Sequence, residues 1–181
     1  MATTTAALDH IGPHPVDPSA PLLEVENLHV EFRTDDGVVR ANRGIGYRLH
    51  ARQTLAILGE SGSGKSVSAQ AVMGIIDTPP GHITQGSVRF RGVDLFDLPE
   101  PDRRAVRGAR IAMIFQDALS ALNPVFPVGW QIGEMFRQHR GMSKREAREA
   151  AIELMDRVRI PSARERVDSY PHEFSGGMRQ R

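Results

Sequence analysis

Thr54-Leu55-Ala56-Ile57-Leu58-Gly59-Glu60-Ser61-Gly62-Ser63-Gly64-Lys65-Ser66 passes from a short apolar run into a glycine-rich turn. The apolar part, Thr54 to Leu58, has the texture of a strand buried on both faces. A helix is expected from Lys65 to about Ile75, so strand, loop and helix follow in that order. The glycines tolerate positive φ and add no side-chain bulk, so the backbone can wrap closely and turn its N–H groups inward. The helix aims its positive N-terminal end at the same place. Such a loop is built for a densely negative group. Lys65 can reach the outer phosphates of a triphosphate, and Ser66 can place its hydroxyl on Mg²⁺.

Residues 59–66 fit the Walker A pattern G-x-x-x-x-G-K-[ST]. Gly59, Glu60, Ser61, Gly62, Ser63, Gly64, Lys65 and Ser66 are therefore the nucleotide-binding candidates, with Lys65 also catalytic and Ser66 also a metal ligand. By itself the motif gives a P-loop fold, which kinases, GTPases, helicases and transporter motors share.

Upstream, Leu23 and Val25 alternate with Glu24 and Glu26 as in a half-buried strand. The apolar parity then switches to Leu28, Val30 and Phe32, which calls for a bulge near Asn27. Asp35-Asp36-Gly37 is a turn signal, and Val38 to Leu49 reads as the second arm of a hairpin. Downstream, Ile83 to Phe90 and Ile111 to Phe115 are expected strands, and Pro99 to Val106 a short helix. After Gln116 the texture turns helical. Pro127 can open a helix to about Arg140. Ser143 and Glu146 form a capping box for another. That helix lines up Ala147, Ala150, Ala151, Leu154, Met155 and Val158 as one apolar stripe.

The chain has 181 residues, a formal net charge of +1, 40% hydrophobic and 25% charged residues. That is an ordinary globular balance, and the near-neutral charge argues against a dedicated nucleic-acid binder. There is no cysteine, which excludes disulfides, thiolate zinc sites and a cysteine nucleophile. Residues 1–21, rich in Thr, Ala and Pro, read as a disordered leader without the features of a secretory signal. No apolar run approaches the roughly 18 residues of a membrane helix, so any work at a membrane would need docking onto other subunits.

About 110 residues beyond the loop comes Phe174-Ser175-Gly176-Gly177-Met178-Arg179-Gln180-Arg181. A serine and two glycines just before a helix make a second anion site of capped-helix type. A bare Ser-Gly-Gly is more often a flexible turn, but here a Walker A motif accompanies it. In these residues the chain resembles the ATP-binding cassette (ABC) family, whose signature is usually Leu-Ser-Gly-Gly-Gln. This version has Phe174 and Met178 at the two ends. Gln116 matches the family's Q-loop glutamine, which in relatives contacts Mg²⁺ or the attacking water and touches the membrane subunit. Phe32 matches the aromatic that stacks on adenine, although its parity with Leu28 and Val30 fits a core residue as well.

The resemblance runs from about Leu22 to Arg181. Residues 59–66, Ala121-Leu122-Asn123-Pro124-Val125 and the stretch from Tyr170-Pro171-His172-Glu173 to Arg181 look like the oligopeptide, dipeptide and nickel importer branch. The resemblance implies an α/β P-loop ATPase with an antiparallel β portion and a helical subdomain. Domains are expected at 22–118 and 119–181. It implies ATP and Mg²⁺ as cofactors, and a second ATPase subunit, identical or different. Transmembrane permease subunits and, indirectly, a solute-binding protein are the further partners, at the cytoplasmic face of the membrane. Each ATP would lie between one subunit's loop and the partner's Ser175, Gly176 and Gly177. The family's Walker B strand, magnesium-binding Asp, catalytic Glu and switch histidine would follow Arg181. The stretch is thus expected to be a fragment, inactive alone. Two rivals stand beside the importer: a cassette protein of DNA repair or translation, and a small P-loop kinase or GTPase. The kinase or GTPase predicts no signature, and a GTPase should carry Asn-Lys-x-Asp, which is absent.

Overall fold

A computed structural model describes residues 19–117 and 121–181. The expected leader falls almost wholly on residues 1–18, and the expected domain boundary at 118/119 on residues 118–120. Both lie outside the described residues. The chain divides into two compact units, residues 1–113 and 114–181.

In the first unit, β1 (Leu23–Thr34), β2 (Gly37–Leu49), β3 (Gly81–Phe90) and β4 (Val93–Asp94) form one antiparallel sheet in the order β2-β1-β3-β4. The parity switch in β1 is real. Asn27 takes a φ of 47°, and the pairing with both neighbours slips there. The slip lets Val25, Leu28 and Val30 all face the core, although they are not evenly spaced by two. Glu24 and Glu26 face the other way, where Arg48 of β2 and Arg89 of β3 pair with them. These cross-strand charges add little stability at an exposed face, but they penalise a one-residue slip in register.

Helix α1 (Lys65–Met73) buries Ser68, Ala71 and Val72, its i, i+3 and i+4 positions. Ala71 and Val72 pack with Val25, Leu28 and Val30 of β1, Val88 and Phe90 of β3, and Leu95, Leu98 and Val106. The helix ends two residues earlier than expected, at Met73, where Gly74 takes the left-handed conformation. Its last carbonyls are met by Arg107, just after α2 (Glu100–Val106). The Arg107 guanidinium donates to Met73 O at 2.7 Å and Gly74 O at 2.8 Å, and pairs with Glu100 at 2.9 Å. The hydrogen bond from Arg107 holds the Glu100 carboxyl below its ordinary range, with Arg103 and Arg104 adding to the effect. Cations suit a helix C-terminus, and charge-assisted bonds to backbone are the stronger kind. Arg107→Ala should therefore cost about 2 kcal/mol. A urea midpoint equal to the parent's would show that water replaces the guanidinium at no loss.

Two expected strands are absent. Thr54 to Leu58 and Ile111 to Phe115 join no ladder among the described residues; Ile111 makes only an isolated bridge to Arg107. Leu58 is 91% exposed and Ile114 95%. An apolar run registers a tendency to be buried, but it becomes a strand only where neighbouring backbone supplies the hydrogen bonds. Among the described residues no strand forms a ladder with either run.

The second unit is helical: α3 (Val128–Arg140), α4 (Lys144–Arg157), α5 (Ala163–Arg166), a 3₁₀ turn (Pro171–Glu173) and α6 (Gly176–Gln180). The first N–H groups of α3 are met by backbone, Val128 by Ser169 O at 2.9 Å and Gly129 by Val167 O at 2.8 Å. This contact needs a glycine, because a Cβ on residue 129 would come 2.1 Å from Val167 Cγ2. The capping box of α4 forms, with Ser143 Oγ accepting from Glu146 N–H and the Glu146 carboxylate from Ser143 N–H. The apolar stripe is rotated from expectation. Ala147, Ala151 and Met155 are buried, joined by Ile152, whereas Val158 is 39% exposed. Val128, Ala151, Ile152, Met155, Ile160, Ala163, Val167 and Phe174 form this unit's core.

Candidate nucleotide site

The loop from Gly59 to Ser66 leads directly into α1, whose N-cap is Gly64. Gly62 and Gly64 adopt φ of 80° and 86°. A Cβ on Gly64 would stand 2.3 Å from Ala41 O and 2.7 Å from Asn42 Nδ2, so β2 closes one side of the turn and only glycine fits. The remainder of the loop, Gly59 to Ser63 and Ser66, is exposed.

Lys65 folds back over this loop. Its Nζ donates to Gly59 O at 2.7 Å, Glu60 O at 2.6 Å and Ser63 Oγ at 3.3 Å. The ammonium is thus held at the mouth of the turn, beside the helix N-terminus, where an anion would be met by both. Ser66 sits exposed in the first turn of α1, with its hydroxyl free to reach a cation beside that anion. A glycine cradle, a lysine and a hydroxyl suit a magnesium-bound triphosphate, the donor set that this chemistry needs.

Asn42 was not legible as part of this site. It lies in β2, is 5% exposed, and donates from Nδ2 to Gly64 O at 3.2 Å. The same carbonyl accepts from Ser68 N–H at 2.9 Å. Phe32 is half-buried and packs against the core of the first unit, leaving part of its ring uncovered. Gln116 is exposed.

In the helical unit, Ser175 caps α6, its Oγ accepting from Met178 N–H at 3.3 Å. Phe174 is buried and Met178 packs partly against the same core. The two departures from the usual signature thus anchor it, while Ser175, Gly176 and Gly177 stay exposed, with open space where a Cβ on either glycine would lie. The Ala121 to Val125 stretch owes its shape to Gln131, also unread in the sequence. The Gln131 amide accepts from Asn123 N–H at 2.9 Å and donates to Asn123 O at 2.9 Å and Phe126 O at 2.8 Å.

The family model described as ABC transporter matches residues 43–181. A putative peptide import ATP-binding protein of Brucella abortus (strain 2308) is 52% identical over 163 residues, covering 90% of this chain and 49% of that protein. The oligopeptide transport ATP-binding protein OppD of Bacillus subtilis (strain 168) is 50% identical over 160 residues, 88% of this chain and 45% of that one. The dipeptide transport ATP-binding protein DppD of the same organism is 47% identical over 160 residues, 88% and 48%. The chain therefore spans about half the length of the curated relatives it matches. Among solved structures, the ATP-binding cassette MJ0796, a dimer bound to ADP and Pi, superposes with a TM-score of 0.73 at 21% identity, over 87% of this chain and 65% of that one. At that identity the likeness speaks for the fold alone.

Proposed function

The chain belongs to the ABC transporter family, and from that premise we propose that it is the nucleotide-binding part of an ATPase subunit that powers import of peptides. The observation that carries the reading is the Lys65 ammonium held by Gly59 O and Glu60 O at the N-terminus of α1. The peptide class is supported by relatives about half identical to the chain, which are named for peptide, oligopeptide and dipeptide transport.

In this reading Lys65 moves from the loop carbonyls onto the outer phosphates and neutralises charge as the terminal phosphate departs. Loop N–H groups would hold the inner phosphates, and Ser66 would hold Mg²⁺, which would supply charge neutralisation. The exposed part of Phe32 stacks on adenine. Gln116 orients the attacking water or the metal and faces the membrane subunit. Ser175, Gly176 and Gly177 serve the nucleotide of a second ATPase subunit. Residues up to about 118 form the nucleotide-binding core and those from 119 the helical subdomain. Among the described residues no helix is long and apolar enough to cross a membrane. Docking onto permease subunits at the cytoplasmic face is the arrangement that family membership suggests.

The test is reconstitution of the intact subunit with its permeases and solute-binding protein in vesicles. The reading predicts ATP-dependent peptide uptake and hydrolysis stimulated severalfold by loaded binding protein. Uptake of nickel with no response to peptides would move the solute class, and hydrolysis indifferent to every solute would remove the transport reading.

A further inference from the structure

Asn42 is an odd choice for its position. It is 5% exposed, and only half of its amide is satisfied: Nδ2 donates to Gly64 O, but no donor among the described residues reaches Oδ1. A leucine, branched at the same carbon although larger, would give up one hydrogen bond and remove the stranded oxygen with it. Burying an amide group without a partner carries a penalty larger than the gain from an average hydrogen bond. Stability alone therefore does not account for an asparagine here.

What the amide does supply is direction. Gly64 sits at φ 86°, where a glycine leaves the following peptide plane easily turned. The Gly64 carbonyl is held from two sides, by Ser68 N–H at 2.9 Å along α1 and by Asn42 Nδ2 at 3.2 Å from β2. A trans peptide carries its N–H antiparallel to its carbonyl. Fixing Gly64 C=O toward α1 and β2 thus fixes Lys65 N–H pointing out of the helix N-terminus, the direction in which anions are bound. The flipped amide would set Oδ1 against the Gly64 oxygen, two acceptors face to face, so the assigned orientation is the one that bonds.

We infer that Asn42 is a positioning residue that, through the Gly64 carbonyl, aims the Lys65 backbone N–H at the phosphates. The inference rests on the nucleotide reading of the same loop. It places a strand of the β hairpin, 22 residues before Gly64, in control of the phosphate cradle.

The test compares the parent chain with Asn42→Leu and Asn42→Asp, the second keeping the shape while removing the donor. MgATP affinity is measured by titration calorimetry, the Lys65 amide proton by NMR, and apo stability by thermal unfolding. Both variants should bind MgATP about tenfold more weakly, one hydrogen bond's worth of free energy. Their Lys65 amide should no longer shift on adding nucleotide, and Asn42→Leu should unfold no earlier than the parent. If Asn42→Leu fails to fold, the smaller and uncharged Asn42→Val decides, because the carboxylate of Asn42→Asp repels phosphates by itself. Parent-like affinity in any folded variant overturns the inference, as does weaker binding that only tracks lost stability. A parent chain that binds no MgATP overturns the nucleotide reading as well, and so separates the two failures.

Discussion

Lys65→Ala should lower ATP hydrolysis by the intact subunit on the order of a thousandfold. The side chain is the one cation placed on the loop itself, 2.7 Å from Gly59 O and 2.6 Å from Glu60 O. These carbonyls are neutral acceptors, whereas a terminal phosphate is charged, so the ammonium gains by leaving them for the nucleotide. As the phosphoryl group departs, charge accumulates on the bridging and terminal oxygens, and a fixed cation there stabilises the transition state more than the bound substrate. Alanine removes that charge and leaves the glycine backbone in place, because Gly62 and Gly64 take their conformations without it. ATP binding should weaken less than turnover does. The measurement is phosphate release by the purified variant at saturating ATP, with thermal unfolding to show that the fold is kept. A rate equal to the parent's would mean that the loop is not the catalytic phosphate site.

Ser175→Arg should abolish ATP-driven pairing of subunits and solute uptake, while the isolated subunit's ATP affinity stays within about twofold. Ser175 is exposed at the start of α6, and space beside Gly176 and Gly177 is open. An arginine can therefore extend outward without disturbing Phe174, which is what anchors the segment. Within its own chain the variant loses one N-cap, worth about 1 kcal/mol. Across a closed sandwich it inserts a long cation where serine and glycine backbone should meet the partner's phosphates. Size-exclusion chromatography with and without ATP separates the two effects. Weakened binding by the isolated subunit, with pairing intact, would show that Ser175 serves its own nucleotide.

Much of the architecture was legible because it is written in local periods. The parity switch at Asn27, the hairpin turn before Gly37 and the Ser143–Glu146 capping box each concern residues a few positions apart, and each forms. The glycine-lysine loop was legible for the same reason. What escaped were the partners that the fold brings from far away. Arg107 reaches Met73 across 34 positions, and Asn42 reaches Gly64 across 22. No spacing rule marks either residue, since an arginine after a short helix and an asparagine in a strand have many uses. The Thr54 to Leu58 and Ile111 to Phe115 runs failed for a related reason. Their apolar composition was read correctly, but a strand is a property of two segments, and no ladder partner stands beside them among the described residues. In α4 the stripe was rotated: Ile152 joins the core with Val128 and Phe174, whereas Val158 lies past the last helical residue, Arg157.

If residues 59–66 grip a triphosphate, their backbone N–H groups meet it first. Titrating the isotopically labelled chain with MgATP and following the backbone amides of Gly62, Gly64, Lys65 and Ser66 by NMR tests it most directly. These amide protons should move together and saturably to lower field, as N–H groups do when they gain a charged acceptor, and Lys65→Ala should weaken the titration. Saturable binding that leaves all four amides unmoved, or no binding at millimolar MgATP, would contradict that grip.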